Sequence, residues 1–147
     1  MDELRLHLER SLPARRTVVF RTQAEPELFA RWWGPNGFTS RPVDFDPRPG
    51  GKYRIAMQPP DDDRFYLTGV FHEVEPPSHL GYSFRWEEPD PDDRETIVTI
   101  SLHDMGDSTL MTVDQGVFAT EVRRALHEQG WTESLDRLHD LIATREW

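Results

Sequence analysis

Leu80-Gly81-Tyr82-Ser83-Phe84-Arg85-Trp86-Glu87 decides the fold. Leu80, Tyr82, Phe84 and Trp86 fall on one side and Gly81, Ser83 and Arg85 on the other, the period of two of an extended strand. Large apolar side chains at every second position predict a strand with that face turned into a core. The same period recurs outward from this stretch. Lys52–Gln58 sets Tyr53, Ile55 and Met57 against Lys52 and Arg54, Thr96–His103 aligns Val98, Ile100 and Leu102, and Ser108–Gln115 turns Met111 and Val113 inward. Phe38–Phe45 and the long Phe65–Glu75 complete a run of six strands. Turn-formers separate them: Asp46-Pro47-Arg48-Pro49-Gly50-Gly51, Pro59–Arg64, Pro76-Pro77 and Met105-Gly106-Asp107. Links this short join antiparallel neighbours.

Ahead of this run, Leu4, Leu6 and Leu8 alternate with charged residues and predict a half-buried strand over 3–11. Pro13 opens a short helix over about 14–23. A second, over about 25–32, starts at Pro26 and stops at Trp32-Trp33-Gly34-Pro35. Beyond about Ala119 the period lengthens to that of a helix reaching Glu146, with Val122, Leu126, Leu135, Leu138 and Ile142 on one stripe. One strand, two short helices, six strands and one long helix make an α+β class, expected as a single domain over 1–147. A twisted antiparallel sheet with one long helix packs that helix across its concave face, and incomplete cover leaves a cavity.

Composition agrees. Five Trp, three Tyr and eight Phe sit within a hydrophobic share of only 36%. Disordered chains are poor in aromatics, and few but large apolar side chains suit a shell around a cavity. The net charge of −10 divides unevenly: ten basic against seven acidic residues over 1–58, seven against twenty over 59–147. No dense Lys/Arg cluster exists to displace counterions, which excludes nucleic acid as a partner. No apolar run reaches the roughly 20 residues of a membrane span. Met1–Arg10 lacks a signal peptide's apolar core, and there is no cysteine, so a cytoplasmic protein is expected. Nothing in the pattern speaks to oligomeric state.

Four stretches carry a resemblance: Arg31-Trp32-Trp33-Gly34-Pro35, Asp46-Pro47-Arg48-Pro49-Gly50-Gly51-Lys52-Tyr53, Gly69-Val70-Phe71-His72-Glu73-Val74-Glu75-Pro76-Pro77 and Gly130-Trp131-Thr132-Glu133-Ser134-Leu135-Asp136-Arg137-Leu138. In this order they resemble proteins similar to the C-terminal domain of the activator of heat-shock protein 90 ATPase, in the START-like (SRPBCC) superfamily. The resemblance covers nearly the whole chain. It implies a helix-grip fold, a curved antiparallel sheet wrapped around a long C-terminal helix with an apolar cavity between them. The superfamily includes lipid and sterol carriers, hormone receptors, aromatase/cyclases and co-chaperones, and fold alone does not choose among them.

Pattern and resemblance together nominate a ligand-binding set: Trp33, Tyr53, Ile55, Met57, Tyr82, Phe84, Trp86, Met111, Trp131 and Leu135. A pocket for an apolar or aromatic molecule needs such walls and a few polar groups to orient the ligand. The same side chains would equally fill a solid core. Trp32-Trp33-Gly34-Pro35 reads as a plug at a helix end or as a lid near the entrance. Gly130 costs a helix about 1 kcal/mol relative to Ala, which predicts a close backbone approach or a bend. Of six histidines, His7 and His103 take polar phases, His127 and His139 read as surface or structural, and His72 shares phase with Val70 and Val74. His72 is the one worth testing. The acids of 61–63 and 87–95 lack the Gly and terminal Glu of a calcium loop and read as solvated turns. No G-x-S-x-G, phosphate-binding loop or dinucleotide fingerprint occurs, so no catalytic residue, metal ligand or cofactor is assigned. The leading expectation is a small-molecule-binding protein of unidentified ligand. The alternatives are a chaperone-interacting module, steered by its acidic second half, and a polyketide cyclase-like enzyme.

Overall fold

The structure is a computed structural model describing residues 3–147. Its elements run β1 (Arg5–Leu12), α1 (Arg16–Ala24), α2 (Pro26–Phe29), β2 (Thr39–Phe45), β3 (Lys52–Gln58), β4 (Phe65–Glu75), β5 (His79–Trp86), β6 (Thr96–Asp104), β7 (Thr109–Gly116) and α3 (Glu121–Thr144). The strands form one seven-stranded sheet in the order β1-β7-β6-β5-β4-β3-β2. Every neighbouring pair is antiparallel. From β2 to β7 each strand lies beside the next in sequence, as their short turns require. β1 alone crosses over, pairing with β7 from Arg5↔Gly116 to Leu12↔Thr109. The segment carrying α1 and α2 therefore spans from one sheet edge to the other.

α3 buries Trp131, Ser134, Leu135, Leu138 and Ile142, which return to one face of the helix. This is the helix-grip arrangement. Leu6, Ile55, Leu67, Leu80, Val98, Ile100, Met111 and Val113 supply the sheet side of the core. Thr120 caps the start of α3, its Oγ1 accepting the Arg123 N–H at 3.1 Å.

The structure corrects the helical stripe at its first turns: Val122 is 65% exposed and Leu126 52%. There α3 stands off the sheet, and the stripe is not sealed into the core. A second correction concerns β5. Gly81 and Ser83 are buried rather than outward; Ser83 Oγ accepts the Val70 N–H at 2.9 Å, supplying a bond the β4–β5 ladder lacks there. His72 is exposed, next to a register shift between Phe71 and Glu73 that breaks the phase linking it to Val70. Among the described residues no helix is long and apolar enough to cross a membrane.

Candidate functional site: an aromatic cavity between sheet and helix

Under the N-terminal half of α3 the grip does not close, and a cavity of about 390 Å³ remains. That volume lies in the range of roughly 300–1,000 Å³ typical of small-molecule sites. Trp33, Gly34, Pro35 and Phe38 wall one end. Met57, Phe65, Tyr66, Phe84 and Trp86 form the sheet side. Arg123, Leu126, His127, Gly130, Trp131 and Ser134 come from α3, and Glu88, Asp90 and Asp93 of the loop after β5 complete the rim.

The aromatic walls pack edge to face. Trp33 and Trp131 meet with centroids 4.8 Å apart at 83°, Phe84 and Trp86 at 5.2 Å and 86°, Phe65 and Trp86 at 5.3 Å and 70°. Such pairs contribute on the order of 1 kcal/mol beyond burial and hold the walls in shape. Trp131 Nε1 donates to Gln115 Oε1 at 2.7 Å. Trp33 Nε1 is a buried donor with no acceptor among the described residues.

Sequence explains how the Trp33 end is held. Gly34 has φ +108°, a left-handed conformation that favours glycine, and its N–H donates to Ser134 Oγ at 3.0 Å. Arg137 Nη1 donates to the carbonyls of Gly34 at 3.1 Å and Trp33 at 3.3 Å. Trp32 is fully buried and donates from Nε1 to Thr22 O at 2.9 Å. Trp32 thus plugs the helix end, while Trp33, Gly34 and Pro35 belong to the cavity wall.

Titratable groups concentrate at the other end. His127 packs against Phe84, Trp86 and Phe118, with centroids 5.3, 6.0 and 4.9 Å away. Burial pulls its pKa down to about 4, with Asp93 opposing and Arg123 reinforcing the shift, so the imidazole is neutral near pH 7. Arg123 donates from Nε to Asp92 Oδ1 at 2.8 Å and from Nη2 to Asp90, and lies 3.4 Å from Asp93 Oδ1. The hydrogen bond from Arg123 holds the Asp92 carboxyl below its usual pKa. Part of the 87–95 acidic stretch, expected as a solvated turn, is therefore fastened to α3. Among the described residues no group of three or more His, Cys, Asp or Glu converges as a metal site.

The ten expected site residues divide three ways. Trp33, Met57, Phe84, Trp86 and Trp131 come together around the cavity. Tyr53, Ile55 and Tyr82 surround, with Trp33 again, a second void of only about 10 Å³, barely room for one water. There the Tyr53 hydroxyl donates to Ser83 O at 2.7 Å and burial raises both tyrosines' pKa values. Met111 and Leu135, 0% and 1% exposed, are packed core and line neither space. Of the two expectations for Gly130, the close backbone approach is absent: a Cβ there would meet only Pro35 Cγ, at 3.9 Å. No close approach demands glycine, and the missing side chain leaves cavity space open. Residues the sequence reasoning missed are Phe38, Phe65, Tyr66, Arg123, His127 and the loop acids. One signal was available: Arg123, His127, Gly130 and Ser134 recur every three or four residues beside the apolar stripe, hidden because none carries an apolar side chain.

A curved antiparallel sheet closed on a long helix around an aromatic cavity defines a helix-grip, START-like protein. The chain belongs to the family described as activator of Hsp90 ATPase homolog 1-like protein, whose sequence model matches residues 13–143. No curated protein matches the sequence. Among solved structures it is similar to a protein of Chromobacterium violaceum, with TM-score 0.87 and 24% identity over 96% of this chain and 98% of that one. The AHSA1 protein of Silicibacter pomeroyi superposes with TM-score 0.82 and 26% identity, over 95% and 97% of the two chains. A Nitrosomonas europaea protein does so with TM-score 0.80 and 28% identity, over 99% of each.

Proposed function

We propose that this chain is a cytoplasmic small-molecule-binding protein that takes an apolar or aromatic ligand into the cavity under α3. The observation that supports this most directly is a space of about 390 Å³ walled by Trp33, Phe65, Phe84, Trp86 and Trp131 and kept open by Gly130. The ligand stacks between Trp86 and Trp131. Titrating a panel of neutral aromatic compounds, followed by tryptophan emission and calorimetry, tests the reading. Binding at micromolar concentration, lost in a folded Gly130→Leu variant whose side chain fills the space, supports it. If no compound binds, or Gly130→Leu binds undiminished, the reading fails.

The family's description supports a second reading, contact with a chaperone ATPase through the acidic second half of the chain. Chaperone pull-down and ATPase stimulation, both lost on neutralising the acids of 87–95, would carry it; absence of both removes it.

A further inference from the structure

We propose that the cavity selects organic cations: an aromatic or otherwise apolar body bearing an ammonium or comparable positive group. The inference rests on the small-molecule reading above and adds the charge class of the ligand. Glu88, Asp90 and Asp93 stand in the wall against a single cation among the described residues, Arg123. That guanidinium is already divided among Asp90, Asp92 and Asp93, so its charge is matched three times over. Asp93 matters most, because its side chain is only 7% exposed. Charge inside a cleft with low-dielectric walls is weakly screened and focuses its field into the opening. A carboxylate ligand would enter against this field with no free cation to meet it. An ammonium would find excess negative charge at the rim.

Behind the rim the walls offer ring faces, which attract a cation through their quadrupoles. His127 adds no competing charge, since its half-buried imidazole is neutral near pH 7. At the opposite end of the cavity from the acids, Trp33, 5% exposed, carries an Nε1 donor with no acceptor among the described residues. An oxygen on the ligand body would satisfy it.

The test uses three probes of one shape titrated calorimetrically into the full chain: anthracenylmethylammonium, anthracenylmethanol and anthracene carboxylate. The ammonium is expected to bind about three- to tenfold tighter than the alcohol, and the carboxylate weaker than both. The ammonium's advantage over the alcohol, both read on the same protein, shrinks as salt rises toward molar and in the Glu88→Gln/Asp90→Asn double variant. If alcohol and ammonium bind equally, or the carboxylate binds best, the charge proposal falls and the cavity reading stands. If none of the three binds, both fall. The salt series on the unmodified chain decides the question even where the double variant folds poorly.

Discussion

Trp131 Nε1 donates to Gln115 Oε1 at 2.7 Å, a bond that crosses the buried interior from α3 to β7. Gln115 in turn donates from Nε2 to Thr96 Oγ1 on β6 at 2.9 Å, so both ends of its amide are used. Gln115 is 1% exposed and Trp131 3%. An unpaired donor in such a place loses its water without compensation. Gln115→Met keeps most of the volume but strands the indole N–H. It is expected to destabilise by about 1–3 kcal/mol and to shift tryptophan emission, since Trp131 loses its anchor 4.8 Å from Trp33. Denaturant unfolding measures the first effect and fluorescence the second. A neutral substitution would mean that the bond does not hold the helix to the sheet.

Gly69 on β4 is a steric requirement. A Cβ at this position would run into Ser83 O and would lie 2.5 and 2.7 Å from Tyr53 Cε1 and Cζ. The Tyr53 ring covers the glycine and its hydroxyl donates a hydrogen bond to Ser83 O. Gly69→Ala is expected to cost about 3 kcal/mol, the upper end of overpacking effects. Tyr53→Phe, which removes only the hydroxyl, should cost about 1 kcal/mol. Equal losses in the two variants, read from denaturation midpoints, would contradict this geometry.

These two sites show where sequence patterning reaches and where it stops. Period-two alternation places every strand within two residues, because burial on one face of a strand is written directly into successive side chains. It says which face Tyr53, Tyr82 and Met111 share with Phe84 and Trp86, and in the structure the first four join one core cluster with Trp86 packed against it. It does not say where along that face the interior is empty. That depends on how far α3 has lifted from the sheet, a property of the whole grip. Leu135 is sealed into the core and Leu126, on the same apolar stripe, is half-exposed for this reason. His127 is hidden for a further one. A histidine on a charged helix carries no mark of burial, and only the aromatic ring of Phe118 and the neighbouring strand enclose it.

His127 gives the fold a dependence on pH with a definite sign. Its pKa in the folded protein is about 4, against an ordinary 6.5. The unfolded chain takes up the proton first, so stability is intact above pH 6.5 and declines as pH falls toward about 4. The decline attributable to this side chain is about 2–4 kcal/mol. His127→Phe keeps a ring among Phe84, Trp86 and Phe118 and removes the titration. Plotted against pH, the stability difference between the two proteins should open in favour of the variant below about pH 6. Parallel curves would show that His127 titrates as an exposed group.

Gly130 sets stability against function within one residue. In mid-helix, glycine costs about 1 kcal/mol relative to alanine, and no contact recovers that cost, since a methyl group would touch only Pro35 Cγ at 3.9 Å. Gly130→Ala is therefore expected to raise the unfolding free energy by up to about 1 kcal/mol. The same methyl projects into the cavity between Pro35 and Trp131, two of its walls. Affinity for the bulkiest aromatic probes should fall while that for small ones holds, because only the bulkiest need the volume. Parallel calorimetric and thermal-melt series on the two proteins decide the matter. Stabilisation with unchanged affinity across probe sizes would place the ligand elsewhere than beneath this turn of α3, and destabilisation would mean that the glycine is held by contacts other than Pro35.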